Sequence, residues 1–132
     1  MNLSQYIGVL KNDPGFMANV TCWKELPARP ARYLPFPDSL DARAVEALGK
    51  KGITQLYSHQ RQAIDAALRG EDVVVVTPTA SGKTLCYNLP VLDAILKDKN
   101  ARALYLFPTK ALSADQAAEL YSLVELLGEN IK

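Results

Sequence analysis

Leu3, Tyr6, Ile7 and Leu10 recur at the spacing of one helix face, and Asn12-Asp13-Pro14-Gly15 closes that helix with turn-forming residues. Four of the eight prolines, Pro27, Pro30, Pro35 and Pro37, then fall within eleven residues, which predicts an extended connector over 26–37 rather than a regular element. After it, Asp38 or Ser39 is placed to cap a helix carrying Leu40, Ala44, Ala47 and Leu48 on one face, with Gly49 and Gly52 at its end. A further helix is predicted over 58–69, with Ile64, Ala67 and Leu68 inward and Gly70 as the stop.

Val73, Val74, Val75 and Val76 break the helical period. A β-branched run without alternation is the pattern of a strand buried on both faces of a parallel sheet. Leu85, Leu89, Leu92 and Leu96 return to four-three-four spacing and predict a helix over 82–97, in which Pro90 must remove one hydrogen bond and bend the axis. Residues 103–107, Ala-Leu-Tyr-Leu-Phe, predict a second buried strand, and Leu120, Leu123, Val124 and Leu127 line a last helix. The order strand, helix, strand, helix implies parallel strands joined by right-handed crossovers, hence an α/β fold.

Composition narrows the function classes. At 132 residues, with 48% hydrophobic and 22% charged, the chain is expected to fold around one core and is neither mainly disordered nor collagen-like. Its net charge of +1 predicts no general attraction to nucleic acid or membrane, so a polyanion has to be gripped locally. Cys22 and Cys86 lack metal-ligand spacing and form no disulfide framework. With no apolar leader and no run near 18 apolar residues, the expectation is a soluble, cytoplasmic protein without a membrane partner.

Between the four-valine run and the leucine-striped helix lies Thr77-Pro78-Thr79-Ala80-Ser81-Gly82-Lys83-Thr84. Against G-x-x-x-x-G-K-[ST] it keeps Gly82, Lys83 and Thr84 but has Thr77 in place of the first glycine. A strand-to-helix turn offers unpaired backbone N–H groups and the positive end of the helix to a phosphate. Gly82 lets the backbone approach, Lys83 reaches the β- and γ-phosphates, and the Thr84 hydroxyl suits Mg²⁺. The plainer reading is a simple helix start with Lys83 in solvent.

Gln60 follows Tyr57, Ser58 and His59. If its helix climbs roughly 16 Å and the valine strand returns roughly as far, Gln60 ends level with the phosphate loop. A glutamine amide presents a donor and an acceptor side by side, as the N6/N7 edge of adenine requires, and Tyr57 is placed to pack on the base. The alternatives are a solvated first-turn glutamine and, for His59, an ordinary helix-start residue. By the same arithmetic Pro108-Thr109-Lys110-Ala111-Leu112 emerges at the same carboxyl edge. There Pro108 ends the strand, Thr109 caps the next helix, and that helix's N–H groups with Lys110 suit a nucleic-acid phosphate; an ordinary cap with a solvated lysine is the other reading.

Residues 77–84 resemble motif I of the superfamily-2 DEAD/DEAH-box helicases, in which the first glycine is commonly replaced. Leu56-Tyr57-Ser58-His59-Gln60-Arg61-Gln62-Ala63-Ile64 resembles their adenine-reading Q-type motif, and Phe107-Pro108-Thr109-Lys110-Ala111-Leu112 their motif Ia. The likeness runs over residues 38–127 and is strongest to the bacterial mitomycin-repair type of DNA helicase and its fungal relatives. It implies a partial RecA-like domain over 38–132, behind an accessory helix and connector over 1–37. It also implies ATP and Mg²⁺ as cofactors and DNA rather than RNA along Pro108, Thr109 and Lys110. The implied nucleotide contacts are Tyr57, Gln60, Thr77, Pro78, Thr79, Ala80, Ser81, Gly82, Lys83 and Thr84, with Lys83 the catalytic group and Thr84 the metal ligand.

ATP hydrolysis further needs carboxylates for Mg²⁺ and for the attacking water, and arginine charge for the transition state. No D-E-x-[DH] follows a third buried strand here, and the acidic pair Glu71-Asp72 precedes the valine run, at the wrong end of a sheet. The chain therefore reads as an amino-terminal fragment of a larger ATPase, ending before the motif II strand and binding nucleotide without turning it over. Because the family's sheet sets other strands between those of motifs I and Ia, raw edges and self-association are expected. A small-molecule P-loop kinase and a non-catalytic nucleotide-binding module are the alternatives; the kinase leaves Gln60 and residues 108–112 without a role.

Overall fold

The computed structural model of the chain describes residues 1–27, 30–78 and 81–128. It divides into two compact units, Met1–Pro30 and Ala31–Lys132.

In the first unit, α1 (Leu3–Lys11) starts at a capping box: the Asn2 side chain accepts from the Gln5 amide while Gln5 accepts from the Asn2 amide, both at 2.9 Å. Asp13 then caps a one-turn helix, α2 (Pro14–Met17), with Pro14 in the first turn where its missing N–H does no harm. The turn-forming residues after α1 thus both end one helix and begin the next. Lys11 lies 5.0 Å from the centroid of the Trp23 ring and pairs with Glu25, whose carboxyl it holds below the usual range. Trp23 is therefore a cation platform.

In the second unit the elements are β1 (Tyr33–Leu34), α3 (Ala42–Lys50), β2 (Leu56–Tyr57), α4 (Ser58–Leu68), α5 (Lys83–Lys97) and α6 (Lys110–Leu127). Leu48, Leu56, Ile64, Leu89, Leu92 and Leu123 meet in one core, with Phe36 packed against it from the connector. α5 and α6 lie where the leucine stripes predict them, and α5 runs on through Pro90. The cap of α3 is Asp41 rather than Asp38 or Ser39, because the buried Asp93 carboxylate accepts the Asp41 amide at 2.8 Å and fixes the helix start there. Arg43 grips Asp41 with its guanidinium and holds that carboxyl down to about 2.

Two features depart from the sequence reading. The proline-rich connector contains a strand: β1 pairs antiparallel with β2, Tyr33 opposite Tyr57 and Leu34 opposite Leu56. The two apolar runs are not buried on both faces. Residues 73–77 and 103–107 belong to no helix or strand, and among the described residues neither run has a strand partner. Val74 and Val76 are each 88% exposed, Leu104 85% and Leu106 84%. Val75, Tyr105 and Phe107 are half-buried, so each run alternates, with one face toward the helices and the other toward solvent. A sheet strand is buried twice over only when helices cover both faces and strands flank both edges, and among the described residues neither run has a flanking strand. Of the predicted order strand, helix, strand, helix, the two helices stand as α5 and α6, each preceded by an unpaired apolar run.

Candidate functional site

Gly82 is the cap of α5 and has φ +72°, a left-handed conformation that turns the chain sharply into the helix. Behind that turn Lys83 and Thr84 form the first turn of a fifteen-residue helix, whose leading N–H groups have no partner within the helix itself. The Lys83 ammonium folds back over the loop and donates to the carbonyls of Thr77 and Pro78, both at 2.9 Å. The Thr77 and Ser81 hydroxyls lie 2.5 Å apart and tie the two ends of the bend together. Thr79 and Ala80 fall outside the described residues.

α4 buttresses this loop with two consecutive side chains. His59 donates from Nε2 to the Ser81 carbonyl at 2.9 Å, which fixes its tautomer because a carbonyl only accepts. Gln60 is 5% exposed; its Nε2 donates to the Gly82 carbonyl at 2.8 Å and its Oε1 accepts from the Tyr57 amide at 2.9 Å. The glutamine thus caps its own helix and struts the turn at Gly82 at once. Each end of an amide retains one further hydrogen-bonding position, so a donor and an acceptor remain for a base edge.

Beside Gln60 opens a cavity of about 490 Å³, bordered by Tyr33, Tyr57, Gly82, Thr84 and residues 51–55. Tyr33 stacks on Tyr57 with centroids 4.9 Å apart, and Tyr57 on His59 at 5.7 Å. A hydrogen bond to Tyr57, reinforced by the neighbouring phenol, pushes the Tyr33 hydroxyl above its ordinary value. Tyr33 was not visible as a site residue in the sequence, since only the β1–β2 pairing brings it against Tyr57.

On the other side of the loop a cavity of about 420 Å³ is lined by Val75, Lys83, Thr84, Cys86, Phe107 and Leu112 among others. It joins the start of α5 to the end of the second apolar run and the start of α6. Cys86 is buried there, and loss of hydration raises its thiol pKa. Pro108 is exposed, Thr109 caps α6 by accepting the Leu112 amide at 3.2 Å, and Lys110 opens the helix in solvent. Among the described residues no cluster of three or more His, Cys, Asp or Glu side chains is placed to hold a metal, and no helix is long and apolar enough to cross a membrane.

Residues 57–132 match the DEAD/DEAH box helicase family. The chain belongs to that family. It is 50% identical over 131 residues to the uncharacterized ATP-dependent helicase YprA of Bacillus subtilis, a match covering 99% of this chain and 17% of that protein. It is 34% identical over 114 residues to the ATP-dependent helicase HRQ1 of Saccharomyces cerevisiae, covering 86% of this chain and 10% of that one. Its fold agrees with the DUF1998 helicase MrfA, in a crystal structure bound to DNA and AMPPNP, at a TM-score of 0.89 and 49% identity over 100% of this chain and 18% of that one.

The chain thus spans less than a fifth of the length of these helicases and corresponds to the N-terminal part of a RecA-like helicase domain. That membership does not favour the small-molecule kinase reading.

Proposed function

We propose that this chain is the ATP-binding portion of an ATP-dependent DNA helicase or translocase, with Mg²⁺ as the companion ion. The observation that carries the reading is the left-handed turn at Gly82, held from behind by Gln60 and leading straight into Lys83 and Thr84 at the start of α5. The donor set fits a nucleoside triphosphate: an ammonium that exchanges two loop carbonyls for phosphate oxygens, a helix N-terminus, and a hydroxyl oxygen for a hard cation. Gln60 and Tyr57, with Tyr33 added by the fold, border the cavity assigned to adenine. Residues 77–81 are assigned to the rest of the phosphate site, and Thr84 to the Mg²⁺ ligand. Pro108, Thr109 and Lys110 are assigned to the nucleic-acid strand. AMPPNP and DNA bound to MrfA support both ligand classes.

Hydrolysis requires carboxylates and arginines beyond these residues, so the chain alone is expected to bind ATP and to release no phosphate. Equilibrium titration with a fluorescent ATP analogue, beside a phosphate-release assay with and without single-stranded DNA, tests this. Saturable binding competed by ATP and ADP is the expected result; no binding at millimolar analogue removes the assignment.

The exposed faces of residues 73–77 and 103–107 belong to the same reading, as the strands of an unfinished sheet. Unpaired apolar edges favour self-association of this chain. Sedimentation velocity should show dimers or larger species at tens of micromolar (on the order of 10⁻⁵ M, where exposed edges drive association), and a monomer with a cooperative melt speaks against it.

A further inference from the structure

Gln116 lies in the second turn of α6, half-buried, and no motif accounts for it. Its side chain reaches across to α5. The Thr84 Oγ1 donates to Gln116 Oε1 at 3.1 Å, and the Tyr87 hydroxyl donates to the same oxygen at 2.5 Å. The direction of both bonds is set by the other end of the amide, where Nε2 donates to the Asp115 carboxylate at 3.3 Å. With its nitrogen turned to Asp115, the glutamine presents only an acceptor to the two hydroxyls, so both must give up their protons to it.

That constraint matters for Thr84 in particular. A threonine hydroxyl has one proton and two lone pairs, and it ligates a cation through a lone pair. Left alone, the proton rotates among whatever acceptors are near, and in some rotamers it points where a cation has to sit. Gln116 removes that freedom. By taking the proton on the α6 side, it leaves the lone pairs of Oγ1 facing away from α6.

We infer that Gln116 is a positioning residue for magnesium: it holds the Thr84 hydroxyl with its proton turned away, so that Oγ1 meets the cation as a ready-made ligand. The inference rests on the nucleotide reading above. It gives Gln116 no contact with nucleotide or metal. Its effect is carried by the orientation of one hydroxyl, and it acts between α5 and the helix whose first turn holds Thr109 and Lys110.

The test is the magnesium dependence of nucleotide affinity in the full 132-residue chain, measured with a fluorescent ATP analogue in excess Mg²⁺ and again in EDTA. In the wild type, magnesium is expected to tighten binding. In Gln116→Met, which keeps the length of the side chain and loses the acceptor, that gain should shrink by roughly fivefold, the scale of one hydrogen bond between neutral groups. Affinity in EDTA should stay within about twofold, as for a substitution that touches no nucleotide contact. Gln116→Glu, whose carboxylate accepts the same proton, should restore the gain. An equal loss of affinity in both media makes Gln116 a packing residue and overturns the inference, as does an unchanged gain in Gln116→Met. If the wild type binds no analogue in either medium, the nucleotide reading fails and this inference with it.

Discussion

Lys83→Ala is expected to abolish steady-state ATP turnover in a polypeptide joining this chain to the carboxylates and arginines that hydrolysis needs, while leaving its helical content unchanged. The ammonium is the only side-chain cation within the phosphate loop, residues 77–84, and it stands on the first turn of α5. Charge accumulates on the transferring phosphoryl oxygens in the transition state, so a fixed cation there acts on kcat more than on ground-state affinity. Removing one such preorganised group lowers turnover by roughly 10²–10³-fold. The folding penalty is small by comparison, since Lys83 donates to two loop carbonyls at the surface, worth about 1 kcal/mol each at most. Phosphate release by a coupled assay, with far-ultraviolet circular dichroism as the check on the fold, decides the matter. Wild-type turnover by the variant removes Lys83 from the reaction.

The apolar periodicity carried much of this fold, and the reasons for its failures are physical. The leucine stripes of α5 and α6 are local, repeat over several turns and face one core, so spacing alone located them. Thr109 was readable as a cap for the same reason, because a cap acts on amides three residues away. The four valines predict a doubly buried strand, but among the described residues they pair with no strand and Val74 and Val76 face solvent. A β-branched run states the conformation of its own backbone, whereas burial is decided by strands and helices elsewhere.

The site divides along the same line. Gly82, Lys83 and Thr84 are contiguous, so the turn into α5 that is proposed to hold phosphate is spelled in one stretch of sequence. The struts are not contiguous: His59 and Gln60 meet the loop across 22 residues, and Gln116 meets Thr84 across 32. Nothing in the spelling around His59 marks it as a support, so a plain helix-start role was the natural expectation. Gln60 was singled out for adenine, and the fold adds a second task, bracing the loop from behind.

That second task makes Gly82 the position where substitution should hurt stability and binding together. Gly82→Ala introduces a Cβ only 2.6 Å from Gln60 Nε2, at a backbone angle of φ +72°. A left-handed conformation costs an L-residue about 1–2 kcal/mol before any contact is considered. The end of a glutamine side chain ordinarily swings away cheaply, but Gln60 is buried and bonded at both ends, so moving it breaks the Gly82 carbonyl contact and endangers the cap of α4. Together these predict a loss of about 2–4 kcal/mol, or a fall in Tm of roughly 10 °C or more for a domain of this size. Nucleotide affinity should fall as well, because the loop loses the turn that aims its amides. The steric part can be isolated with Gln60→Ala, which removes the colliding group. In the double variant the penalty of Gly82→Ala should drop by at least about 0.5–1 kcal/mol relative to its value in the wild type, since the two side chains share one contact. Strict additivity of the two substitutions in thermal melts means that Gln60 does not brace the loop, and the left-handed turn at Gly82 then stands on its own backbone alone.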